Sequence, residues 1–169
     1  FIPPAEEVDL PAFFGQRERP VAPYVAFVIG AAHQTKRLPM DKIIAKVVVS
    51  GAGASAVSCS RFYISLGVKP ENLLMCDSRG VLHHERENLN DIKKEFVRET
   101  DARTLADAMV GADLFLGLSG PKVLSQEMVG KMAARPIVFA LANPTPEIMP
   151  DEVREVAPDA IIATGRSDY

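Results

Sequence analysis

Apolar residues in this chain gather in short runs, and each run ends in a cluster of small or turn-forming residues. Val47-Val48-Val49 stops at Ser50-Gly51, and the apolar stretch of residues 72–76 stops at Asp77-Ser78-Arg79-Gly80. Residues 113–118 run into Ser119-Gly120-Pro121, residues 137–141 into Ala142-Asn143-Pro144-Thr145-Pro146, and residues 160–163 into Thr164-Gly165-Arg166-Ser167-Asp168. Short continuous apolar runs of this kind read as strands buried on both faces. Between them the spacing turns helical. Val57, Phe62, Ile64 and Leu66 carry a helix to Gly67, and residues 104–110 form a short one ended by Gly111. Ser125 caps a helix through Met132, with Glu127 in its first turn, and residues 151–156 form the last. Strand and helix thus alternate over residues 44–163 with no hairpin signal. That predicts an α/β fold, a Rossmann-like doubly wound parallel sheet with helices on both faces. Ligands bind such sheets beyond the carboxyl ends of the strands, where all the turn clusters fall.

Two stretches break the alternation. Residues 81–101 are polar and charged and read as an exposed excursion with a short helix from Asp91, as N-cap, to Val97. Its His83-His84 pair is an unpromising metal site, because adjacent side chains in an extended segment point to opposite sides. Residues 1–43 form a poorly readable lead-in. Pro3, Pro4, Pro11, Pro20 and Pro23 favour irregular chain, and Val25, Val28, Ile29 and Ala32 place one helix at about residues 24–36. The remainder, 44–169, is the expected ligand-binding domain.

The most informative turn is the first. Gly51 and Gly53, with Ala56 in the third place, complete a G-x-G-x-x-G/A pattern between a valine strand and a helix. There the backbone must turn tightly and let an anion approach. Ala54, Ser55 and Ala56 then open a helix whose free N–H groups face a pyrophosphate. Asp77 lies 21 residues beyond Ala56, near the usual place of the acid that takes the adenine ribose hydroxyls, although a turn aspartate before glycine would look the same. Ser78 and Arg79 follow it. An Arg79 guanidinium suits a 2′-phosphate and Asp77 repels one, so the pair predicts a preference that is weak or tilted to NAD.

Composition narrows the classes. The chain has 169 residues, 47% apolar and 24% charged, enough for one domain with a real core. A net charge of −3 with scattered Lys and Arg argues against nucleic acid. No apolar run reaches the ~18 residues of a membrane span, and these residues show no signal-peptide pattern. Cys59 and Cys76 fit no metal spacing and are expected as free buried thiols, which suits a cytoplasmic protein. The sequence starts at Phe1 and stops at Tyr169 without a terminal element, as an excerpt truncated at both ends would.

Five blocks then carry a resemblance: V-V-V-S-G-A-G-A-S-A, M-C-D-S-R-G, D-A-R-T-L-A-D-A-M-V-G-A-D-L-F-L-G-L-S-G-P, F-A-L-A-N-P-T-P-E-I and A-T-G-R-S-D-Y. Together they resemble the NAD(P)-binding domain of malic enzymes, most nearly the short bacterial and archaeal type, over residues 44–169 in unbroken order. The resemblance implies oxidative decarboxylation of L-malate to pyruvate and CO2 with reduction of NAD or NADP, and Mg²⁺ or Mn²⁺ in the full enzyme. It implies a homo-oligomer there, with no nucleic-acid or membrane partner. It implies cofactor contacts at Gly51, Gly53, Ala54, Ser55 and Ala56, ribose recognition at Asp77, Ser78 and Arg79, and nicotinamide contacts from Ser119 and Gly120. Asn143 matches an asparagine that meets substrate and cofactor, although a turn residue before proline is its plainer reading.

The departures are equally specific. The family's tyrosine acid and lysine base belong to a preceding domain that has no counterpart here, so no catalytic residue is assigned. The family's H-D-D-Q-H-G-T-A block falls at Gly15 onward, where G-Q-R-E-R-P-V-A has no aspartate. Glu18 is the one carboxylate in it and sits between Arg17 and Arg19, so no metal ligand is assigned either. The family's downstream asparagine pair lies beyond Tyr169. Two readings follow: the cofactor part of a malic enzyme, or a catalytically inactive dinucleotide-binding or interaction module that lacks the catalytic domain. An amino-acid dehydrogenase domain is disfavoured by A-N-P-T-P-E.

Overall fold

The computed structural model describes residues 46–166. The lead-in helix at 24–36, Glu18 and Asp168 lie outside the described residues. The described chain forms β1 (Val47–Ser50), α1 (Ala54–Ser65), a 3₁₀ turn (Pro70–Asn72), β2 (Leu73–Asp77), β3 (Gly80–Val81), α2 (Asp91–Lys94), α3 (Leu105–Met109), β4 (Leu114–Gly117), α4 (Gln126–Gly130), β5 (Ile137–Ala140), α5 (Pro150–Val156) and β6 (Ile161–Thr164).

The strands make one six-stranded sheet in the order β3-β2-β1-β4-β5-β6, parallel except at β3. The chain runs outward from β1 to one edge and then returns to the other side of β1. The order reverses between β1 and β4, and open α/β sheets take their ligands at such a switch point, beyond the carboxyl ends of the strands. Register sharpens the point: Cys76, Ser50, Gly117, Ala140 and Thr164 lie in one row across five strands. All five following loops therefore leave the sheet along one line.

Both faces of the sheet are covered, as the unalternating apolar runs require. Val47, Val49, Leu73, Met75, Leu114, Leu116, Ile137 and Phe139 point one way and pack with Ala56, Val57 and Tyr63 of α1. Val48, Leu74, Phe115, Val138 and Ala140 point the other way, toward Ala108 and Met109 of α3, Val129 of α4 and Val153 of α5. Each strand thus feeds two cores through its two-residue period.

The structure corrects several expectations. Residues 73–81 do form a hairpin: β2 pairs antiparallel with β3, Cys76 opposite Val81 and Asp77 opposite Gly80. The Ser78-Arg79 turn joins them, and a two-residue edge strand is too short to leave an alternating pattern in the sequence. The cap of α2 is Asn90 rather than Asp91, because the Asn90 side chain reaches forward to accept the Lys93 N–H at 2.9 Å. Asp91 then pairs with Lys94 at 2.8 Å, and the helix ends three residues before Val97. Ser125 accepts from Met128 N–H as expected, but its helix ends at Gly130 rather than Met132. The helix expected over 104–110 spans Leu105–Met109, with Thr104 outside it as the cap that accepts from Asp107 N–H in a capping box. The last helix starts at Pro150 rather than Asp151.

Candidate functional site

The turn after β1 is held from both sides. Gly51 N–H donates to Cys76 O at 2.8 Å, and Leu118 N–H donates to Ser50 O at 2.8 Å. The Ser50 and Ser119 hydroxyls meet at 2.9 Å. Gly51 has φ +122°, and a Cβ there would lie 2.5 Å from Leu118 O. Only glycine fits both the turn and the neighbouring strand end.

Gly53 is different. Its backbone is extended (φ −86°, ψ −175°), and no atom lies within 4 Å of where a Cβ would stand. Gly53 is thus open toward solvent by position rather than by strain. It is the N-cap residue of α1, with no side-chain cap and no acid in the first turn. The first N–H groups of that helix lack intrahelical partners, and the positive end of its dipole joins them. Ala54 and Ser55 are exposed beside them, and Ala56 is buried with the strands, which lets α1 lie close to the sheet. Such an uncapped helix start can receive an anion on backbone groups alone.

Asp77 ends β2 in the expected place, but its carboxylate is engaged. Oδ1 accepts from Arg79 N–H at 2.9 Å and Arg86 Nη1 at 3.1 Å; Oδ2 accepts from Arg86 Nη2 at 3.1 Å and Lys93 Nζ at 2.7 Å. The Asp77 side chain is 7% exposed. Burial pushes its carboxyl up, but the hydrogen bonds from Arg86, Lys93 and the Arg79 amide overcome this and hold it well below the usual carboxylate range. Ser78 and Arg79 are exposed in the turn, and the Arg79 guanidinium has no partner among the described residues. Arg86 and Lys93 were invisible to the motif reading, because they come from a charged excursion that resembles any solvated surface.

The loops after β4 and β5 complete the row. Ser119 is exposed, and the space beside Gly120 is open. Asn143 is exposed before the cis Asn143–Pro144 bond, with its Nδ2 3.5 Å from Leu141 O. The loop after β6 touches this one, since a Cβ on Gly165 would lie 2.8 Å from Asn143 Nδ2. Glu147, in the same A-N-P-T-P-E block, is fully buried and accepts from Ser119 N–H at 3.2 Å and Ala142 N–H at 3.0 Å. Sequence reading missed it, since a glutamate after Pro-Thr-Pro looks like loop surface.

Among the described residues no group of three or more His, Cys, Asp or Glu could hold a metal ion. His83 is largely buried and His84 half-exposed, with rings edge to face at 6.3 Å. Both cysteines are free; burial raises the Cys59 thiol, and burial next to the Asp77 charge pushes Cys76 up to about 12. No helix among the described residues is long and apolar enough to cross a membrane.

Comparison with known proteins agrees with this geometry. The family model for the malic enzyme NAD binding domain matches residues 22–167. The NADP-dependent malic enzyme of Halomonas elongata is 53% identical over 125 residues, covering 74% of this chain and 30% of that protein. That of Escherichia coli is 44% identical over 166 residues, covering 97% of this chain and 22% of that protein. The crystal structure of the NAD-dependent malic enzyme of Thermotoga maritima superposes with a TM-score of 0.68 at 38% identity, over 76% of this chain and 35% of that one. The chain spans about a fifth to a third of the length of these relatives. By its matched length, its identity to the relatives and its parallel sheet with a glycine turn before α1, the chain belongs to the malic enzyme family and forms its NAD-binding domain.

Proposed function

We propose that this chain holds NAD(P) along the carboxyl row of its sheet, in a cytoplasmic, homo-oligomeric enzyme that converts L-malate to pyruvate and CO2. The observation that carries the proposal is the uncapped start of α1, with open space where a Gly53 side chain would be. A pyrophosphate there meets N–H groups of Ala54, Ser55 and Ala56, with Gly51 and Gly53 letting it approach. The adenine ribose falls toward Asp77, Ser78 and Arg79, and the nicotinamide toward Ser119, Gly120 and Asn143, where malate also meets the site. The cytoplasmic assignment rests on the two free thiols.

The chain's own contribution is binding and orientation. When bound, the dinucleotide supplies a hydride acceptor for C2 of malate. A base for the malate hydroxyl is also needed, and among the described residues no group of three or more His, Cys, Asp or Glu could hold a metal.

Against the tilt to NAD expected from the sequence, the ion pairs of Asp77 make the cofactor end at the hairpin lean toward NADP. Asp77 already answers Arg86 and Lys93, so its charge is compensated, whereas the Arg79 guanidinium is free among the described residues. That balance favours a 2′-phosphate over a bare ribose. Calorimetric titration of the 169-residue chain with NAD and NADP tests the whole reading; absence of binding by either at millimolar concentration sinks it. Gly53→Val should keep the thermal midpoint, because the fold leaves room for it, and lose on the order of tenfold or more in dinucleotide affinity.

A further inference from the structure

Glu147 is the one fully buried acidic residue among the described residues, and it stands between two loops rather than inside an element. Its Oε1 accepts from Ser119 N–H at 3.2 Å, and its Oε2 from Ala142 N–H at 3.0 Å. The backbone continues the tie: Leu124 N–H donates to Glu147 O and Lys122 N–H to Pro146 O, each at 3.1 Å. The seat for the carboxyl group is provided by Gly117, where a Cβ would collide with it. The glycine at the end of β4 and the glutamate thirty residues later thus form one fitted contact.

A buried carboxylate is costly unless its oxygens are satisfied. Here both are, by two N–H donors that belong to different loops. Glutamine has the same shape, but it carries one acceptor oxygen and one donor nitrogen, so it can receive only one of them. An apolar residue of the same volume would receive neither. The chemistry therefore calls for an acid at this position, for a reason that packing alone does not give.

We infer that Glu147 is a positioning residue that fixes the gap between the Ser119-Gly120 loop and the Ala142-Asn143 loop. Through it, Glu147 sets the seat of the nicotinamide end of the cofactor. The inference rests on the dinucleotide reading above for what occupies that gap. Ser119 passes the brace on, since its hydroxyl meets that of Ser50 at the end of β1. Neither loop has secondary structure of its own where it faces the gap, so a fixed spacing needs such a tie. Hydride transfer is sensitive to misplacement on the ångström scale, which gives the tie its value.

The test is amide hydrogen exchange on the 169-residue chain, with reduced-nicotinamide fluorescence and ADP-ribose titration alongside. In the wild type, the Ser119 and Ala142 amides should be protected although they lie in loops. In Glu147→Gln the amide left facing the new NH2 group should exchange about 10- to 100-fold faster, the range of a lost hydrogen bond to a charged group, while the other keeps its acceptor and the Val48 and Phe115 amides in the strands stay unchanged. Reduced dinucleotide should lose its nicotinamide emission change on binding to the variant, whereas ADP-ribose, which lacks nicotinamide, should bind within about twofold of wild type. Gly117→Ala, which displaces the carboxyl group without removing it, should loosen both amides. Unprotected Ser119 and Ala142 amides in the wild type overturn the inference, even if Glu147→Gln does not fold. So does a uniform rise in exchange across the sheet, or an unaltered nicotinamide emission in a folded variant. Failure of the wild type to bind either ligand overturns the dinucleotide reading itself, and with it the nicotinamide role, whatever the amides show.

Discussion

Replacing Asp77 by asparagine should destabilise the chain in a way that depends on pH. The substitution is nearly isosteric, so the loss is one of charge and of acceptor capacity. Asparagine keeps one acceptor oxygen and turns an NH2 group toward donors, leaving Arg86 and Lys93 without their shared counter-charge. Their side chains are 12% and 28% exposed, so water compensates only in part. Removing one partner of a buried pair costs about 3–5 kcal/mol. Lys93 is better solvated, and Arg86 keeps the carbonyls of Gly80 and Val81, so about 2–3 kcal/mol is the figure expected here. For a chain of this size that lowers the thermal midpoint by roughly 5–10 °C. The folded carboxyl lies below its unfolded value, so its stabilisation is fully present above the ordinary aspartate range and is lost as pH falls from about 4 toward the depressed folded value. Urea unfolding of both proteins at neutral pH and at about pH 3 decides it, with the gap narrowing by about 1.4 kcal/mol per pH unit below about 4. A gap under about 0.5 kcal/mol at neutral pH, the scale of an ordinary surface change, would refute the reasoning. So would a gap that is constant down to acid pH.

Asp77→Ser should raise affinity for NADP relative to NAD, since it removes a carboxylate at the hairpin end; an unchanged ratio in paired titrations would leave Asp77 as an ion-pair hub with no cofactor role. Gly51→Ala should destabilise by about 3 kcal/mol or more, because it combines a left-handed backbone with a backbone clash, whereas Gly53→Val should leave stability alone; denaturation midpoints of the two compare them directly. The 169-residue chain alone should produce no NAD(P)H from malate and Mn²⁺ above background, since its described residues carry no metal cage. Turnover that vanishes in Glu18→Gln or Asp168→Asn would reveal a site formed by residues outside the described part.

What was legible in the sequence was whatever leaves a periodic or punctuated trace. Val47-Val48-Val49 is buried on both faces because β1 is the centre of a covered parallel sheet, and its unbroken apolar run says so. The glycine turn is legible because its two glycines mark it, though they differ: Gly51 is required by conformation and contact, whereas Gly53 leaves open space. The hairpin at β3 was not legible, since two residues carry no period. Contacts made across long stretches of chain were not legible either. Arg86 and Lys93 reach Asp77 from nine and sixteen residues away, and Glu147 reaches Ser119 from twenty-eight. A motif reports which residue types a turn requires; it is silent on a partner whose role is fixed only when two loops meet. The hidden partners have one thing in common. Each is a charged group that satisfies backbone or opposite charge at the row where five strands end, so the site's electrostatics were the part the linear pattern could not express. Substitutions at Arg86, Lys93 and Glu147 therefore test the site more sharply than further changes to its glycines, because their effects cannot be read from the motif that identified it.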